Sequence, residues 1–304
     1  MPLWIPLTIA AAFLQNLRTT LQKRLSAELS AAAATYVRFS YGLPVAAVYV
    51  ALLAYGGDIS LPRPHGEFLF YCLTGGLAQI LGTLLTVALF AYRNFAIGSA
   101  YAKTETVQTA LFGLVVLGDH LTAGAIAAIL LSLLGVMLIS SNRNAPGLKV
   151  FFTALLERPA LMGIGAGAFF GVSAVSYRAA SLSLGREDFL MPAAYTLLWV
   201  MGLQTFLMTA WIAWREPGQL RATARNWKIS ASVGIAGAFA SMGWFTAMTI
   251  ENAAYVRALG QIELLFAFAS SVFLFGERAR RLEILGMILV AAGIVLLLFT
   301  RASV

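Results

Sequence analysis

The sequence predicts an all-α integral membrane protein, a bundle of ten transmembrane helices built from two inverted five-helix repeats. Two observations lead to this fold class. Hydrophobic residues make up 60% of the 304-residue chain and charged residues only 11%, whereas a soluble domain carries about 25% charged residues. The chain also matches itself without a gap over about sixty positions when it is shifted by 158 residues. Because so few charges cannot cover a soluble globule, the excess apolar surface must face lipid.

The internal repeat fixes the architecture. The matching copies are 88–138 and 246–296, and the shift superposes Asn94 on Asn252, Glu105 on Glu263, Gly118 on Gly276, and Gly135 on Gly293. One period contains five apolar segments. Because five is odd, the second half enters the membrane from the opposite side, as in many secondary transporters. We therefore expect residues 1–141 to form the first repeat, 142–159 to connect the halves, and 160–304 to form the second repeat.

Each helix is predicted from the roughly 20 apolar residues that cross ~30 Å of hydrocarbon. Ten segments meet this requirement: 3–22, 31–55, 67–90, 96–117, 122–140, 160–182, 189–213, 229–250, 253–275 and 283–299. Pro44 lies inside the second segment and predicts a kink there. Gly163, Gly167 and Gly171 recur every four residues on the sixth segment and predict close helix packing.

The net charge of +8 raises the question of a nucleic-acid partner. The basic residues lie in short clusters between apolar segments rather than in a stripe interleaved with aromatic residues. They are better explained as topology signals near anionic headgroups, so we expect no nucleic-acid partner. Cys72 is the single cysteine, which excludes an intramolecular disulfide. The two histidines lie in predicted loops, and no HExxH or P-loop motif occurs, so we expect no metal, no cofactor and no enzyme.

Charged side chains at membrane depth cost roughly 2.5–3.5 kcal/mol on insertion scales, so each is a candidate for function. Six lie inside the predicted helices: Arg38, Lys103, Glu105, Arg178, Arg257 and Glu263. The repeat places Glu105 and Glu263 at equivalent positions, near the middle of the fourth and ninth segments. One interpretation makes them ligands for a substrate ammonium group, or protonatable coupling groups. The other has each carboxylate fix helix packing through Arg38, Lys103 or Arg257.

Polar and aromatic residues surround the first glutamate. Tyr101, Thr104, Gln108 and Phe112 lie at helical spacing and form one face, which lines an aqueous cavity or packs against another helix. The equivalent face around Glu263 is far more apolar. A cavity with two such walls suits an amphipathic organic solute better than a bare ion.

The remaining candidates are assigned from their depth in the helices. Arg38 is too deep for easy snorkelling and either binds a substrate carboxylate or pairs with a glutamate. Arg178 and Arg257 lie nearer helix ends and are expected to snorkel. Asp119 and Glu277 are expected to cap the fifth and tenth helices. Further candidate cavity residues are Gln79, Trp244, Tyr255 and Gln261.

The segments around the glutamates resemble a known family. They are Tyr101-Ala102-Lys103-Thr104-Glu105 and Gly118-Asp119-His120-Leu121 in the first half, Ala254-Tyr255-Val256-Arg257, Glu263 and Gly276-Glu277-Arg278 in the second, and Tyr36-Val37-Arg38-Phe39. Both halves resemble the EamA repeats of the drug/metabolite transporter superfamily. The resemblance implies ten helices, a central cavity surrounded by helices one to four and six to nine, and transport without ATP, often efflux of amino acids or related metabolites.

The expected function is secondary transport of small amphipathic metabolites, in particular export of amino acids or related compounds, by alternating access around a midplane cavity. Proton-coupled efflux of cationic drugs is an alternative, as is a membrane enzyme or receptor. We expect the protein to be multi-pass in the inner or plasma membrane, as a monomer or homodimer. Its partners are then the lipid bilayer, a small-molecule substrate and, in a coupled mechanism, protons.

The orientation is predicted in two opposite ways. The resemblance implies that both termini are cytoplasmic. However, the loops after odd-numbered segments, with the flanking Arg18, carry fourteen Lys and Arg residues, whereas the opposite side carries three. The positive-inside rule then places both termini outside. The sequence leaves this conflict open.

Overall fold

The computed structural model describes residues 2–25, 28–57, 59–89, 101–139, 157–275 and 281–302. In this part of the chain the regular structure is helical and no strand occurs. The helices are α1 Trp4–Leu25, α2 Ala31–Ser40, α3 Leu43–Ala51, α4 Gly66–Leu89, α5 Glu105–Leu117, α6 Ala123–Ile139, α7 Arg158–Ser183, α8 Leu190–Arg215, α9 Pro217–Arg225, α10 Trp227–Ile250, α11 Ala253–Gly260, α12 Ile262–Phe275 and α13 Arg281–Ala302. A π-helical turn, Leu52–Gly56, continues α3. The predicted all-α class is confirmed.

Among the described residues, six helical stretches are long and apolar enough to cross a membrane, and α5 and α6 are shorter apolar helices. The multi-pass membrane class is thus confirmed, while the count of ten crossings stays a prediction. The surface helix α9 was not predicted, because it is short and polar. The predicted connection 142–159 lies almost entirely outside the described residues, and Glu277, the predicted cap of the tenth helix, lies outside them as well.

The kink expected at Pro44 is confirmed. Helix α2 ends at Ser40 and α3 begins at Leu43, with two turn residues between them. Proline at the start of α3 has no N–H to donate, and its ring excludes the preceding turn from regular helix geometry. The predicted segment 31–55 is therefore two short α-helices and a π-helical turn.

The chain divides into two compact units, and each draws on both sequence halves. The first unit comprises Met1–Ile80 and Ser176–Glu251, and the second comprises Leu81–Val175 and Asn252–Val304. In the first unit α1 packs along α10. A Cβ on Gly243 would lie 2.8 Å from the Cβ of Ala11 and 3.1 Å from the Leu7 carbonyl oxygen. The absence of a side chain at Gly243 therefore lets these two backbones approach closely.

In the second unit α6 packs against α13 through glycines. A Cβ on Gly135 would lie 2.5 Å from the Gly286 carbonyl oxygen, and one on Gly293 would lie 2.8 Å from that of Ala128. Rising numbers on α6 meet falling numbers on α13, so the pair is antiparallel. Because the repeat superposes Gly135 on Gly293, the two copies of one position make equivalent close contacts. Gly286 and Gly293 therefore serve helix packing in this unit.

A tight turn joins α5 to α6. Gly118 has φ +67° and ends α5 in the left-handed conformation, where glycine has no Cβ penalty. The prediction that Asp119 caps the next helix is wrong. Helix α6 begins at Ala123, and the Thr122 hydroxyl accepts from the Ala125 N–H at 3.1 Å. Asp119 lies three residues too early for that bond.

Candidate substrate site

The two predicted helices that carry the glutamates are interrupted at equivalent places. Tyr101 and Ala102 are helical, Lys103 and Thr104 form a turn, and α5 starts at Glu105. In the other repeat α11 ends at Gly260, one turn residue follows, and α12 starts at Ile262. The continuous helices expected over 96–117 and 253–275 are therefore wrong in their described parts. Residues 96–100 lie outside those parts.

Tight backbone hydrogen bonds form both interruptions. The Thr104 N–H donates to the Tyr101 carbonyl at 3.0 Å, and the Gln261 N–H donates to the Ala258 carbonyl at 3.2 Å. Both bonds span three residues, the 3₁₀ pattern, and short 3₁₀ stretches inside a helix often mark functional hinges. The repeat superposes position 103 on position 261. The interruption is thus a duplicated feature of the fold.

Each glutamate lies in the first turn of the helix that follows its interruption. Glu105 is the first residue of α5, and Glu263 is the second residue of α12. The N-terminus of a helix carries a partial positive charge that stabilises a carboxylate by about 0.3–1 kcal/mol. Discontinuous helices whose N-termini lie at membrane depth are a recurrent element of transporter binding sites.

The glutamates form two ion pairs that cross between the repeats. Lys103 Nζ donates a hydrogen bond to Glu263 Oε1. Arg257 Nε lies 3.1 Å from Glu105 Oε1. Each cation therefore belongs to one sequence half, and its carboxylate belongs to the other. This arrangement agrees with the second interpretation of the glutamates, in which each carboxylate pairs with a cation such as Lys103 or Arg257.

The side chains of the four charged residues are partly exposed. The exposed fraction of the side chain is 25% for Lys103, 20% for Glu263, 16% for Arg257 and 15% for Glu105. Two positive and two negative charges make the cluster electrically neutral, which reduces the cost of holding charges in a membrane protein. We refer to these four residues as the charge cluster. The exposure is partial, and in the Arg257–Glu105 pair the facing atoms, Arg257 Nε and Glu105 Oε1, are themselves buried.

Two glutamines beside the charge cluster donate to neighbouring groups through their side-chain nitrogens. Gln261 Nε2 donates to Thr106 Oγ1 at 3.0 Å, and Gln108 Nε2 donates to Thr104 Oγ1 at 2.9 Å. Both Oε1 atoms are buried and accept no hydrogen bond from the described residues. A buried acceptor without a donor is costly, so these oxygens are suited to a polar ligand or water.

The two tyrosines of the predicted site have structural contacts. Tyr101 is 1% exposed, and its carbonyl accepts from Thr104 Oγ1 at 2.6 Å. The Tyr255 hydroxyl lies 3.5 Å from both the N and the Oγ1 of Thr122. Tyr255 thereby connects α11 to the residue that caps α6. Tyr101 thus contributes its backbone carbonyl to the first interruption and Tyr255 its hydroxyl to a helix contact, and a role of either in substrate binding stays a prediction.

Glycines on α7 allow it to lie directly on the first interruption. A Cβ on Gly167 would lie 2.9 Å from the Ala102 carbonyl oxygen and 3.1 Å from the Glu105 nitrogen. One on Gly171 would lie 3.1 Å from the Thr109 nitrogen. These two members of the predicted glycine series thus hold the backbone on both sides of Glu105 in place.

The first unit contains a second polar cluster, around Gln79. Gln204 Nε2 donates to Gln79 Oε1 at 2.8 Å, and the Tyr177 hydroxyl lies 3.1 Å from the same oxygen. Tyr177 and Gln204 are each 1% exposed, and the Tyr177 ring stacks on Phe245 with centroids 4.5 Å apart. We refer to Gln79, Tyr177 and Gln204 as the glutamine cluster.

The other predicted residues of the first unit lie on different helices. The Arg38 guanidinium lies 5.2 Å from the centroid of the Phe39 ring, and its Cγ packs against Gly237. Trp244 Nε1 donates to Gln15 Oε1 at 3.1 Å. Arg38, Gln79 and Trp244 thus all lie in the first unit, whereas the charge cluster lies in the second.

The expectation that Arg178 and Arg257 snorkel is wrong. Arg178 Nη1 donates to the carbonyl oxygens of Met248 at 2.7 Å and Glu251 at 2.6 Å, at the C-terminal end of α10. A cation there satisfies carbonyls that the helix leaves free and interacts favourably with its dipole. Arg257 instead pairs with Glu105.

Sequence reasoning missed Tyr177, Gln204 and Thr106. All three are polar residues inside apolar segments, and that signal was available for each. Gln204 is the clearest, because it is an amide in the middle of a 26-residue apolar helix. Their partners come from distant segments, so the clusters themselves were not visible in the sequence.

Comparison with known proteins identifies the family. The model of the EamA-like transporter family matches residues 2–141 and 158–299. A solved crystal structure matches with a TM-score of 0.70 and 15% identity, over 96% of this chain and 94% of that one. At that identity it shows a shared fold alone. No curated protein sequence matches the chain. The resemblance seen in the sequence is confirmed, and the chain belongs to the EamA-like transporter family, whose members are small-molecule transporters rather than enzymes.

Proposed function

We propose that this protein is a secondary transporter that exports small amphipathic metabolites, in particular zwitterions such as amino acids, across the inner or plasma membrane. The observation that carries the proposal is the charge cluster, which sits at two equivalent helix interruptions and is partly exposed. Family membership supports small-molecule transport, and the cluster supports the choice of substrate class.

A zwitterion matches the charge cluster in both signs. Its carboxylate can replace Glu263 at Lys103 or Glu105 at Arg257, and its ammonium group can then pair with the carboxylate that was released. No charge is left uncompensated. A cationic drug would displace one cation of the cluster and leave that cation without a counter-charge, which costs several kcal/mol at membrane depth. The cluster therefore favours a zwitterion over a cation.

The crossed arrangement also supports alternating access. Each ion pair joins helices of the two sequence repeats within the second unit, so a change of access that moves these helices apart separates the pairs. A bound zwitterion supplies both replacement charges and lowers the cost of that separation. Substrate binding is then coupled to the conformational change through the difference in affinity between the two states.

The test is flux of labelled amino acids into proteoliposomes, with and without a pH gradient. Wild type is compared with Glu105→Gln, Glu263→Gln and the control Glu67→Gln, an exposed acid at the start of α4. We expect at least a tenfold loss in either cluster variant and none in the control. Amino-acid flux that survives both cluster changes contradicts the proposal. Flux of a cationic dye without amino-acid flux would replace it with drug efflux.

A charge swap separates substrate binding from helix packing. The double variant Lys103→Glu/Glu263→Lys keeps an ion pair but exchanges the positions of its charges. If the pair serves only packing, the swap restores both folding and flux. If a zwitterion exchanges with it, the swap restores thermal stability but not flux, because the carboxylate no longer lies at the N-terminus of α12.

A further inference from the structure

The segment from the end of α8 through α9 to the start of α10 combines exposed tryptophans with basic residues. Trp211, Trp214 and Trp227 are 42%, 72% and 57% exposed. The Arg215 guanidinium lies 4.0 Å from the centroid of the Trp214 ring, and Lys228 Nζ lies 5.9 Å from that of Trp227. Such rings are typical of the membrane–water interface, where an apolar body lies beside a polar environment.

Helix α9 in this segment is held against the first unit by one face. The Ser30 N–H donates to Gln219 Oε1 at 3.0 Å, and the Tyr41 hydroxyl donates to the Thr223 carbonyl at 3.2 Å. Thr223 is buried, whereas Arg221 and Arg225 are exposed. The helix therefore presents its arginines outwards in a fixed position.

The contacts within the first unit define its two faces. Ser30, in the loop after α1, bonds Glu216 and Gln219, so that loop and α9 share one face. On the opposite face, Arg186 donates to the Ser60 carbonyl at 3.0 Å and His65 contacts the Ser183 carbonyl.

The two faces carry opposite charge. Basic residues on the first are Arg24, Arg215, Arg221, Arg225 and Lys228, with Glu28 and Glu216 as its acids. On the opposite face Arg63 and Arg186 are outnumbered by Glu67, Glu187, Asp188 and Glu251.

We infer that α9 and its flanking tryptophans form a docking surface for anionic phospholipid headgroups of the cytoplasmic leaflet. The cytoplasmic leaflet is the one rich in anionic lipid, and juxtamembrane Lys and Arg bind it. Tryptophan rings fix the depth of the surface, and the outward arginines bind phosphate. This face of the first unit is therefore cytoplasmic, and the loop after α3 lies outside. The orientation is opposite to the one that the family resemblance implies.

Cysteine accessibility tests the orientation. The buried Cys72 is first replaced by Ser, and single cysteines are introduced as Ala224→Cys on α9 and Glu187→Cys on the opposite face, both at exposed positions. A membrane-impermeant maleimide should label Glu187→Cys in intact cells and Ala224→Cys only after permeabilisation. The reverse pattern overturns the inference.

Lipid dependence tests the docking surface. Melting temperatures are measured in nanodiscs of phosphatidylcholine alone and of phosphatidylcholine with phosphatidylglycerol. Phosphatidylglycerol should stabilise the wild type. Each basic residue removed from α9 should weaken the binding of phosphatidylglycerol about fivefold. Arg225→Gln is compared with Arg63→Gln, an exposed arginine on the opposite face. The inference fails if phosphatidylglycerol does not raise the melting temperature of the wild type. It also fails if Arg225→Gln and Arg63→Gln reduce this stabilisation equally.

Discussion

Replacing Gly167 with alanine should destabilise the protein at the first helix interruption. The added Cβ would lie 2.9 Å from the Ala102 carbonyl oxygen and 3.1 Å from the Glu105 nitrogen. Both neighbours are backbone atoms, so the helices must separate by a few tenths of an ångström. Overpacking of this kind costs about 1–3 kcal/mol, which offsets the gain of up to about 1 kcal/mol from replacing a helical glycine with alanine.

Gly165 provides a matched control two residues away on α7. A Cβ there would meet only Leu85 Cδ1, at 3.3 Å, and that atom is the end of a flexible side chain. Gly165→Ala should therefore be neutral or stabilising. The two variants share helix, residue type and substitution, so their difference isolates the contact with the interruption.

Thermal unfolding in detergent, followed by intrinsic fluorescence, measures that difference. A difference of 1–3 kcal/mol corresponds to about 2–5 °C for a chain of this size. Gly167→Ala should melt below Gly165→Ala by that amount and should also lose flux, because the Glu105 backbone is displaced. The reasoning is refuted if Gly167→Ala melts at or above the temperature of Gly165→Ala.

Three further predictions concern polar contacts, and thermal unfolding checks each. Arg178→Gln removes a charged donor from the end of α10 and should cost about 1.5–3 kcal/mol, and Arg178→Lys should recover only part of it. A double-mutant cycle with Lys103→Met and Glu263→Met should give a coupling of about 1–3 kcal/mol, below the value for a fully buried pair because both side chains are partly exposed. Gln204→Leu removes one of the two donors to Gln79 Oε1, while the Tyr177 hydroxyl keeps the other, and should cost about 0.5–1.5 kcal/mol. The hydrogen-bond assignments are contradicted if the Arg178 and Gln204 variants melt at the wild-type temperature. The Lys103–Glu263 ion pair is contradicted if the effects of its two single substitutions simply add in the double variant.

The sequence was sufficient for the features that repetition and composition determine. The apolar segments, the duplicated glutamates and the packing glycines follow from local patterns. The kink at Pro44 follows from the chemistry of a single residue. The interruption before Glu105 could not be predicted from local chemistry. Ala102, Lys103 and Thr104 include neither proline nor glycine, and the apolar run continues past them. In the second repeat Gly260 offered a weak signal for the same feature.

The ion pairs could not be predicted as pairs, although all four members were candidates. Their partners lie about 150 residues apart, and the repeat does not relate the cations: it superposes Lys103 on Gln261 and Arg257 on Ser99. Cations at equivalent positions of the two repeats would have suggested that each pairs with the glutamate of the other repeat. The glutamine cluster was missed for a related reason, because Gln79 gained significance only once the fold brought Gln204 beside it.

The unequal cations bear on the proposed mechanism. In a strictly symmetric pair of inverted repeats, exchanging the conformations of the two halves yields a state of equal free energy. Here the carboxylates are duplicated, but lysine stands two residues before one and arginine six residues before the other. Arginine forms a planar donor fork, whereas lysine is a compact and more strongly hydrated charge. Exchange of the two halves therefore does not reproduce the same ion pairs, and the two access states of the proposed transporter differ in free energy before substrate binds.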